Sequence, residues 1–568
     1  MAGQHPVSGA AVQLYAAGNQ GNGSSPTSLL TTTATTASTG AFSIASGYSC
    51  PSAQTPLYLI AKGGQVNGGT ANSSLWLMTA LGACGSISTG SSFVLNEVTT
   101  TASVWALASF MSSGGKVGAS CTNTAGLNNA FLTASTMANN STGASPGAAN
   151  PSTLSVETKK LNTLANALAS CSQSSGGSAC SGLLTAAASG STVPGNTLDA
   201  ALNIAHAPAG NTATLYGLAS GSAVFSPSLS AAPPDFMLHN TISGGGMASP
   251  ASVSIESSGN VWVSSYFNSI SEFSPSGAAV FPSGISGSGI VQSYGMALDI
   301  NGNVWIANEQ TNPNSGSGDV AELSPTGAVM QSELTNGGIN FPISATADTN
   351  GNMWFADYGD SKVTVLDSSG SPVSGSEGWG DTSLASLAFP VAIAIDSNHN
   401  GWVANQAGLL PITKISPDGS QVTNYDCNCN GASGVATDQS DNVWIANYYG
   451  NSVSEVNSCG TLMVNAVSGG GLDHPQGIAV DGAGTVWVSN FLGNSISEIS
   501  GSGSSTAGTL LSPSNGFGTD ASILQPYGLA IDASGNVWIS NFGNDTLSEF
   551  IGVATPVKTP LAGPPQQP

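Results

Sequence analysis

Seven acidic residues stand at a fixed distance from seven tryptophans in the second half of the chain. Each acid precedes the tryptophan of its repeat by six residues, and the seven are Glu256, Asp299, Asp348, Asp396, Asp438, Asp481 and Asp532. Such carboxylates could ligate a metal ion, and Asp299-Ile-Asn-Gly-Asn303 is similar to the start of a calcium-binding loop. However, the glutamate that ends such a loop is missing, and a feature present in every repeat is typical of a folding device. We therefore predict that these acids form turns, and we predict no metal site and no cofactor.

Aromatic, amide and acidic residues follow the tryptophan strands and precede the next repeats. Binding residues collect on the loops of a rigid scaffold, and aromatic rings with amides suit stacking and hydrogen bonding to a sugar or a peptide. The predicted ligand-binding residues are Glu309, Asp357, Tyr358, Asp360, Tyr448, Tyr449, His474, Asn490, Tyr527 and Asn541, accompanied by Tyr294, Phe491 and Phe542. The alternative is that these aromatic rings pack between repeats.

Patterns that carry catalysis are sparse. The five histidines, at positions 5, 206, 239, 399 and 474, are scattered, and H-E-x-x-H does not occur. The glycine run Ser243-Gly-Gly-Gly-Met247 lacks the lysine of a phosphate-binding loop. We predict no catalytic residue. The alternative is a hydrolase or lyase that uses Asp357, Glu309 and His474 as its acids and base.

The elements that position these residues follow from the tryptophan repeat. Tryptophan recurs at 262, 305, 354, 402, 444, 487 and 538, each time within a strand such as Val-Trp-Val-Ser-Asn. Each repeat predicts four short strands, which cannot bury their faces alone but can stack radially. We predict a seven-bladed β-propeller over residues 235–557, with the tryptophans packed between blades. The glutamates of the Ser-x-Ser-Glu strands, Glu272, Glu455, Glu498 and Glu549, are expected to face solvent or a neighbouring blade.

Closure of the ring is predicted from its two ends. The last repeat runs into Gly552-Val-Ala-Thr-Pro-Val-Lys-Thr-Pro-Leu561, whose prolines disfavour an outer strand. Residues 235–242 have strand character, and we predict that they complete the last blade. Residues 226–234 are then a linker, and residues 558–568 form a proline-rich tail.

The first 225 residues predict two smaller units, in a protein that is mainly β overall. Alternating strands at residues 6–15, 40–44 and 56–61 predict a small β-sandwich over residues 1–94. Apolar residues at helical spacing, with serine, threonine or asparagine at the caps, predict a helical subdomain over residues 95–225. Its predicted helices are 97–111, 126–139, 156–171 and 196–206.

Charge and cysteine usage limit the partners and the compartment. Charged residues are 7% of the chain, the net charge is −23, and arginine is absent. Such a surface repels phosphate backbones and anionic lipid, so we predict no nucleic-acid partner and no membrane insertion. Eight cysteines without paired C-x-x-C motifs favour disulfides and a secreted or cell-surface protein whose signal peptide is missing from this sequence.

Three disulfides are predicted from the spacing of the cysteines. Cys171 with Cys180 would close a short loop, and Cys50 with Cys84 would join segments flanking a strand. Cys427 and Cys429 are too close to bridge easily, so one of them is expected to pair with Cys459. A metal site at this pair is the minor alternative.

The repeats resemble NHL-type repeats and the seven-bladed streptogramin-lyase propellers over about residues 235–555. That resemblance implies a histidine in a Pro-His-Gly turn and acids three positions after the strand aromatic, which perform an elimination together with a metal. Here the matching turns are Pro475-Gln476-Gly477 and Pro526-Tyr527-Gly528. The matching strand positions are Ser265, Asn308, Asp357, Asn405, Asn447, Asn490 and Asn541, of which only Asp357 is an acid. The resemblance therefore predicts the fold and argues against the lyase activity.

A second resemblance concerns the N-terminal unit. Pro6-Val-Ser-Gly-Ala-Ala-Val-Gln-Leu-Tyr15 and the two strands after it resemble carboxypeptidase-regulatory-like modules, which implies a spacer or adhesion role. Taken together, the sequence predicts an exported, non-catalytic binding or scaffold protein whose propeller face recognises a carbohydrate or protein ligand. The alternatives are a hydrolase or metal-dependent lyase of streptogramin-lyase type and a structural cell-surface component that self-associates.

Overall fold

The structure is a computed structural model that describes residues 1–44, 47–173, 178–287, 289–310, 317–382, 385–519 and 522–568. The chain is mainly β and is built from many small antiparallel sheets. The first strands are β1 (Val7–Ser8), β2 (Ala11–Ala16), β3 (Thr27–Ser28), β4 (Ala34–Thr35), β5 (Pro56–Lys62), β6 (Gln65–Val66) and β7 (Trp76–Ala83). None of the described helices is long and apolar enough to cross a membrane.

Strands β2, β3, β4, β5 and β7 form a five-stranded antiparallel sheet, in which β2 pairs with β3, β4 and β5, while β1 and β6 form a separate two-stranded sheet. The prediction of a strand over residues 40–44 is wrong, because these residues have no strand pairing. The sheet instead contains β7, which was not predicted and which pairs with β5. One face of this sheet contributes Tyr58, Ile60 and Met78 to a core that also contains residues of the helices. The two predicted N-terminal units therefore share a hydrophobic core.

Six helices and three short strands follow within the described residues. They are α1 (Glu97–Leu107), β8 (Met111–Ser112), β9 (Lys116–Val117), α2 (Thr124–Met137), β10 (Leu154–Val156), α3 (Thr158–Gln173), α4 (Ser178–Ala186), α5 (Thr197–His206) and α6 (Thr212–Gly221). The prediction of asparagine caps is confirmed: Asn96 Oδ1 accepts from Thr99 N at 2.9 Å, and Thr99 Oγ1 accepts from Asn96 N at 3.0 Å. Helices α4 and α6 were not predicted, since their glycine- and serine-rich sequences carry weak helical signals.

The remaining chain consists of repeated antiparallel sheets. The first sheet contains β12 (Pro250–Ile255), β13 (Val261–Ser265) and β14 (Ser269–Phe273). The second contains β15 (Ser293–Leu298), β16 (Val304–Asn308), β17 (Asp319–Leu323) and β18 (Val329–Leu334). The third contains β19 (Pro342–Ala347), β20 (Met353–Asp357) and β21 (Lys362–Leu366), followed by the hairpin of β22 (Asp381–Thr382) and β23 (Ala385–Ser386). The fourth contains β24 (Pro390–Ile395), β25 (Gly401–Asn405), β26 (Ile412–Ile415) and β27 (Val422–Tyr425). The fifth contains β28 (Ala432–Thr437), β29 (Val443–Asn447), β30 (Ser452–Val456) and β31 (Leu462–Ser468). The sixth contains β32 (Pro475–Val480), β33 (Val486–Asn490) and β34 (Ser495–Ile499). The last contains β35 (Pro526–Ile531), β36 (Val537–Asn541) and β37 (Thr546–Phe550).

The first strands of these sheets surround a common axis. Each first strand contacts the first strand of the next sheet, and β35 of the last sheet contacts β12 of the first. Strand β11 (His239–Ser243) pairs with β37, so that His239 lies opposite Phe550 and Ile242 opposite Leu547. The prediction that residues 235–242 complete the last sheet is thus confirmed for β11. Strand β10, from the helical region, adds a further strand beside β11.

The tryptophans lie between neighbouring sheets, as predicted. Trp538 of the last sheet packs with Val253 and Val263 of the first, and Trp262 of the first packs with Val304 of the second. All seven tryptophans of the repeat are no more than 1% exposed. Each indole therefore joins one sheet to the next, and the sheets form a propeller-like arrangement.

The turn acids bind both the turn backbone and the tryptophan. Asp348 Oδ1 accepts from Asn350 N and Asn352 N, both at 2.9 Å, while Asp348 Oδ2 accepts from Asn352 Nδ2 at 2.9 Å. The same Oδ2 accepts the indole N–H of Trp354 at 3.3 Å. Equivalent indole bonds reach Glu256, Asp299, Asp396 and Asp532 at 2.6 to 3.5 Å. The turn-forming role is confirmed for the six aspartates, whereas Glu256 accepts from Ser258 Oγ at 2.9 Å and not from the turn backbone. The indole bond is an addition in five repeats, and the indole N–H groups of Trp444 and Trp487 do not make it.

A buried lysine joins the helical region to the chain segment that enters the ring. Lys160 Nζ lies 3.5 Å from Asp235 Oδ1 and 3.3 Å from Glu157 Oε1. His239 Nδ1 lies 2.8 Å from Glu157 Oε2. Although burial opposes ionisation, His239 and Lys160 hold the pKa of Glu157 below its usual value. This network fixes the position of the closing strand β11.

The disulfides agree with the sequence in two of three cases. The bonds Cys50–Cys84 and Cys171–Cys180 are present, as predicted. The third bond joins Cys427 to Cys429, so the prediction that one of them pairs with Cys459 is wrong. Asn428 adopts a left-handed conformation, with φ of 50°, which folds the chain back and brings the two Cα atoms to 5.1 Å.

The glutamates of the Ser-x-Ser-Glu strands lie beside the tryptophans. Glu272, Glu455 and Glu549 are at most 3% exposed, which corrects the expectation that they could face solvent. Burial raises the pKa of Glu455 and Glu498 to about 7, and the turn acids Asp438 and Asp481 add to this. Each of these sheets therefore holds a pair of neighbouring carboxyl groups, one of which retains a proton near neutral pH.

Replacing Asp348 by alanine should destabilise the propeller. The variant leaves two backbone N–H groups, an amide and an indole N–H without their acceptor, so we expect unfolding to cost about 3 kcal/mol less. Urea unfolding followed by tryptophan fluorescence measures this. Glu377, whose side chain is 85% exposed, provides the control Glu377→Ala, which should unfold like the wild type. Equal midpoints for the two variants would contradict the role of the turn acid.

Thermal stability should fall between pH 5.5 and pH 8.5. The folded-state pKa values of Glu272, Glu455, Glu498 and Glu549 are raised to about 7 or 8, so the folded chain holds more protons than the unfolded chain. Their stabilisation is complete near pH 4.5 and is lost as pH rises through 7 to 8. We expect a decrease of ~5 °C in the unfolding temperature by circular dichroism. The variant Glu498→Gln should show a smaller decrease in unfolding temperature over the same pH range. An unfolding temperature of the wild type that does not change with pH would contradict this prediction.

Candidate functional site

The first strands of the repeated sheets line a central cavity of about 630 Å³. Its walls are apolar or carry small side chains, contributed by segments such as 251–255, 343–346 and 476–480. In antiparallel sheets the turn after the first strand and the loop after the second strand lie at opposite ends. The cavity therefore has a turn end, at the Asp turns, and a loop end.

Residues 557–565, called the floor below, cover the turn end. Val557, Thr559, Pro560, Leu561, Gly563 and Pro565 line the cavity from this side. Thr559 Oγ1 donates to Glu256 O at 2.8 Å, and Gln567 Nε2 donates to Gly482 O at 2.8 Å. Since Glu256 and Gly482 lie in turns of different sheets, the predicted proline-rich tail crosses the axis and closes this end.

The helical region also contacts the turn end. Asn123 Nδ2 donates to Ala533 O at 2.8 Å, and Asn129 Nδ2 donates to Ser258 O at 2.9 Å. Gly126 is required at this contact, because a Cβ there would collide with the carbonyl oxygen of Ala533. Access to the cavity is consequently through the loop end.

The loop end is formed by one equivalent position in every repeat, the fourth residue after the tryptophan. We call these seven residues the mouth ring; they are Tyr266, Glu309, Tyr358, Gln406, Tyr448, Phe491 and Phe542. All seven are half-buried. Five of the seven are aromatic. Tyr266 and Gln406 were not among the predicted ligand-binding residues, although the constant spacing from tryptophan was sufficient to find them.

The aromatic residues of the mouth ring contact one another and a second set closer to the axis. Tyr266 lies with its ring centroid 5.1 Å from that of Tyr294, and Tyr294 lies 5.8 Å from Tyr527. Phe491 lies 6.1 Å from Tyr527 and 6.3 Å from Tyr448. These edge and tilted contacts form a continuous aromatic arc across the mouth, as aromatic pairs favour.

Glu309 interrupts the aromatic arc with a carboxyl group. Burial raises the pKa of Glu309 above its ordinary value. Burial together with the charge of Glu309 and the neighbouring Tyr266 raises the pKa of Tyr294 to about 12. These tyrosines are therefore neutral hydrogen-bonding groups at physiological pH.

Three of the predicted ligand-binding residues lie inside the sheets. Asn490 Nδ2 donates to Ser495 Oγ at 3.1 Å and to Ser497 Oγ at 2.9 Å. Asn541 makes the equivalent bonds in the last sheet, and Asp357 accepts from Thr364 Oγ1 at 2.7 Å. All three are 0% exposed. They occupy the third position after tryptophan, whose side chains point away from the mouth, so in this structure a ligand at the mouth does not reach them.

The other predicted residues lie at or near the mouth. Tyr449 is 59% exposed and lines the cavity opening beside Tyr448. His474 Nδ1 lies 2.7 Å from Asp473 Oδ1, and its ring centroid lies 4.7 Å from that of Tyr448. Asp360 lies 3.8 Å from Lys362 Nζ, and burial raises its pKa. The structure thus brings Tyr358, Tyr448, Tyr449, Tyr527 and Glu309 to one cavity.

The donor groups of the mouth do not form a metal-binding set. Among the described residues, no three side chains of histidine, cysteine, aspartate or glutamate converge as metal ligands would. Glu309 and His474 belong to the second and sixth sheets, and His474 is not among the residues that line the cavity. What the mouth offers instead is aromatic surface, amide and hydroxyl groups and one carboxylate.

Comparisons with known proteins agree with this architecture. Residues 286–555 match the model of the virginiamycin B lyase family. The matched residues are just under half of the chain, and over them the propeller is similar to the streptogramin-lyase type. This propeller is similar to selenomethionine-substituted virginiamycin B lyase from Staphylococcus aureus, with 16% identity over 55% of this chain and 98% of that chain and a TM-score of 0.45.

Two further solved structures show the range of similar proteins. One is a catalytically inactive variant of the same Staphylococcus aureus lyase with quinupristin, with 16% identity over 55% of this chain and 98% of that chain and a TM-score of 0.44. The other is described as a gluconolactonase, with 13% identity over 45% of this chain and 87% of that chain and a TM-score of 0.33. A search of curated proteins finds no match to the chain.

Truncating Asn490 should affect stability and leave the mouth intact. Asn490→Ala leaves the hydroxyls of Ser495 and Ser497 without their buried donor, so we expect a loss of about 2 kcal/mol in the free energy of unfolding. Urea unfolding measures the loss, and Asn301→Ala, at an exposed turn position, is the control. A variant as stable as the wild type would show that the amide has no structural role.

Proposed function

We propose that the chain is an exported binding protein whose seven-bladed propeller holds a carbohydrate or peptide ligand at the mouth ring, without catalysing its conversion. The observation that carries this proposal is the composition of the mouth ring, which has five aromatic residues, one amide and one carboxyl group. Five of these seven residues line the cavity, namely Glu309, Tyr358, Gln406, Tyr448 and Phe491. Aromatic faces and amides provide stacking area and hydrogen bonds, which suits recognition. Three disulfides support an oxidising compartment.

The positions of the acidic and histidine side chains at the mouth argue against a site that catalyses proton transfer. A general acid or base must lie within hydrogen-bond reach of the proton that it transfers. The only residue with a carboxyl group among the described residues that line the cavity is Glu309, and no histidine is among them. Asp357, the single acid at the third position after tryptophan, is buried and bonded to Thr364.

Removing aromatic surface from the mouth should weaken ligand binding. We expect Phe491→Ala and Tyr449→Ala each to lower affinity about tenfold for a ligand found in a panel of oligosaccharides and short peptides. Isothermal titration calorimetry on the full chain measures this. Tyr216→Ala, which removes a half-buried tyrosine from helix α6, is the matched control and should bind as the wild type does. A ligand whose affinity is unchanged in both mouth variants would place the binding site elsewhere.

A lyase is the second candidate, because the family model matches and His474 is paired with Asp473 at the edge of the mouth. Quinupristin, which accompanies the inactive Staphylococcus aureus lyase, is the appropriate probe. We expect its chromatographic retention and ultraviolet spectrum to stay unchanged after incubation with the chain and a divalent cation. An eliminated product that disappears with His474→Ala would establish the lyase and overturn the binding proposal.

A further inference from the structure

The cavity has a single acidic side chain. Among the described residues that line it, Glu309 is the only one with a carboxyl group, and no lysine or histidine is present. Most of the other lining residues are aliphatic, aromatic or small and polar. A ligand that fills this cavity therefore meets one carboxyl group in mainly apolar surroundings.

Three tyrosines lie near this carboxyl group. Glu309 N donates to Gln292 O at 3.0 Å, and Gln292 Nε2 donates to Tyr266 Oη at 3.3 Å, so Glu309 lies beside the segment that carries Tyr294. Tyr294 and Tyr527 line the same cavity as Glu309. The ring centroids are linked at 5.1 Å between Tyr266 and Tyr294 and at 5.8 Å between Tyr294 and Tyr527. Carboxylates beside the faces of tyrosine rings form the type of site that attracts ammonium groups.

The chain supplies no cation of its own to Glu309 in the parts that the structure describes. Residues 235–568 contain only Lys362, Lys414 and Lys558 as fixed cations. Lys362 lies beside Asp360 and Glu377, and Lys414 lies 3.4 Å from Asp396. Lys558 belongs to the floor at the turn end, where its backbone N–H donates to Gln566 O. A half-buried carboxyl group in a propeller with so few cations is stabilised when a ligand brings one.

We propose that the ligand of the mouth carries an organic cation, a protonated amine or a quaternary ammonium, which lies against Tyr266, Tyr294 and Tyr527 and pairs with Glu309. This inference rests on the proposed function and narrows its ligand class to amino sugars, basic peptides or similar compounds. The tyrosine faces and the carboxylate act together, since desolvation by the rings strengthens the ion pair.

Choline and its neutral isostere 3,3-dimethylbutan-1-ol test this site, because they share shape and differ in charge. Titration calorimetry of the full chain at fixed ionic strength should show choline binding at least about tenfold more tightly than the alcohol. Glu309→Gln, which keeps the shape of the side chain, should lower choline affinity about tenfold and leave the alcohol unchanged. Glu333→Gln, at an exposed position of the same sheet, is the matched control for the general negative field and should leave both unchanged.

The outcomes separate this inference from the proposed function. The cation site is contradicted if choline binds no more tightly than the alcohol. It is also contradicted if choline binds Glu309→Gln as tightly as it binds the wild type. If neutral oligosaccharides or peptides still bind and lose affinity with Phe491→Ala, the binding proposal stands without it. A choline affinity that falls equally in Glu333→Gln and Glu309→Gln would show an unspecific effect of net charge and would also overturn the site.

Discussion

The bond between a turn carboxylate and the indole six residues later, which is present in five of the seven repeats, is the interaction on which the C-terminal half depends. Asp348 fixes its turn through backbone N–H groups and also satisfies the indole of Trp354, which can then be buried against the next sheet. A buried indole N–H without an acceptor would cost free energy in every repeat. One pair of residues therefore couples the turn, the strand register and the packing between sheets.

With the turn end fixed in this way, the loop end is free to vary. The third residue after tryptophan is occupied by bonds inside its own sheet, as Asn490 shows with Ser495 and Ser497. The fourth residue after tryptophan makes no such bond within its own sheet and lies at the mouth. Its type therefore differs from repeat to repeat, and these residues determine which groups the mouth offers to a ligand. Closure of the opposite end by residues 557–565 turns a channel into a pocket with one entrance.

The candidate site was predictable in part. Tyr358, Tyr448, Tyr449, Tyr527 and Glu309 line the cavity, as their positions after the tryptophan strands or in the loops between repeats indicated. Asp357, Asn490 and Asn541 lie inside the sheets because successive side chains of a strand point to opposite sides, so that a shift of one residue exchanges interior and surface. Counting from the tryptophan identifies the right residues only when the direction of each position is known.

Local periodicity and spacing were sufficient to predict the repeated sheets, the turns with their acids, the burial of the tryptophans, the closing strand and two disulfides. The folded chain was needed to show that the N-terminal sheet shares a core with the helices, that β10 extends the last sheet, that residues 557–565 cover the turn end and that Cys427 bonds Cys429. The physical reason is that the first three of these are contacts between segments distant along the chain, and the fourth needs the left-handed turn at Asn428; no local pattern of residue types encodes them.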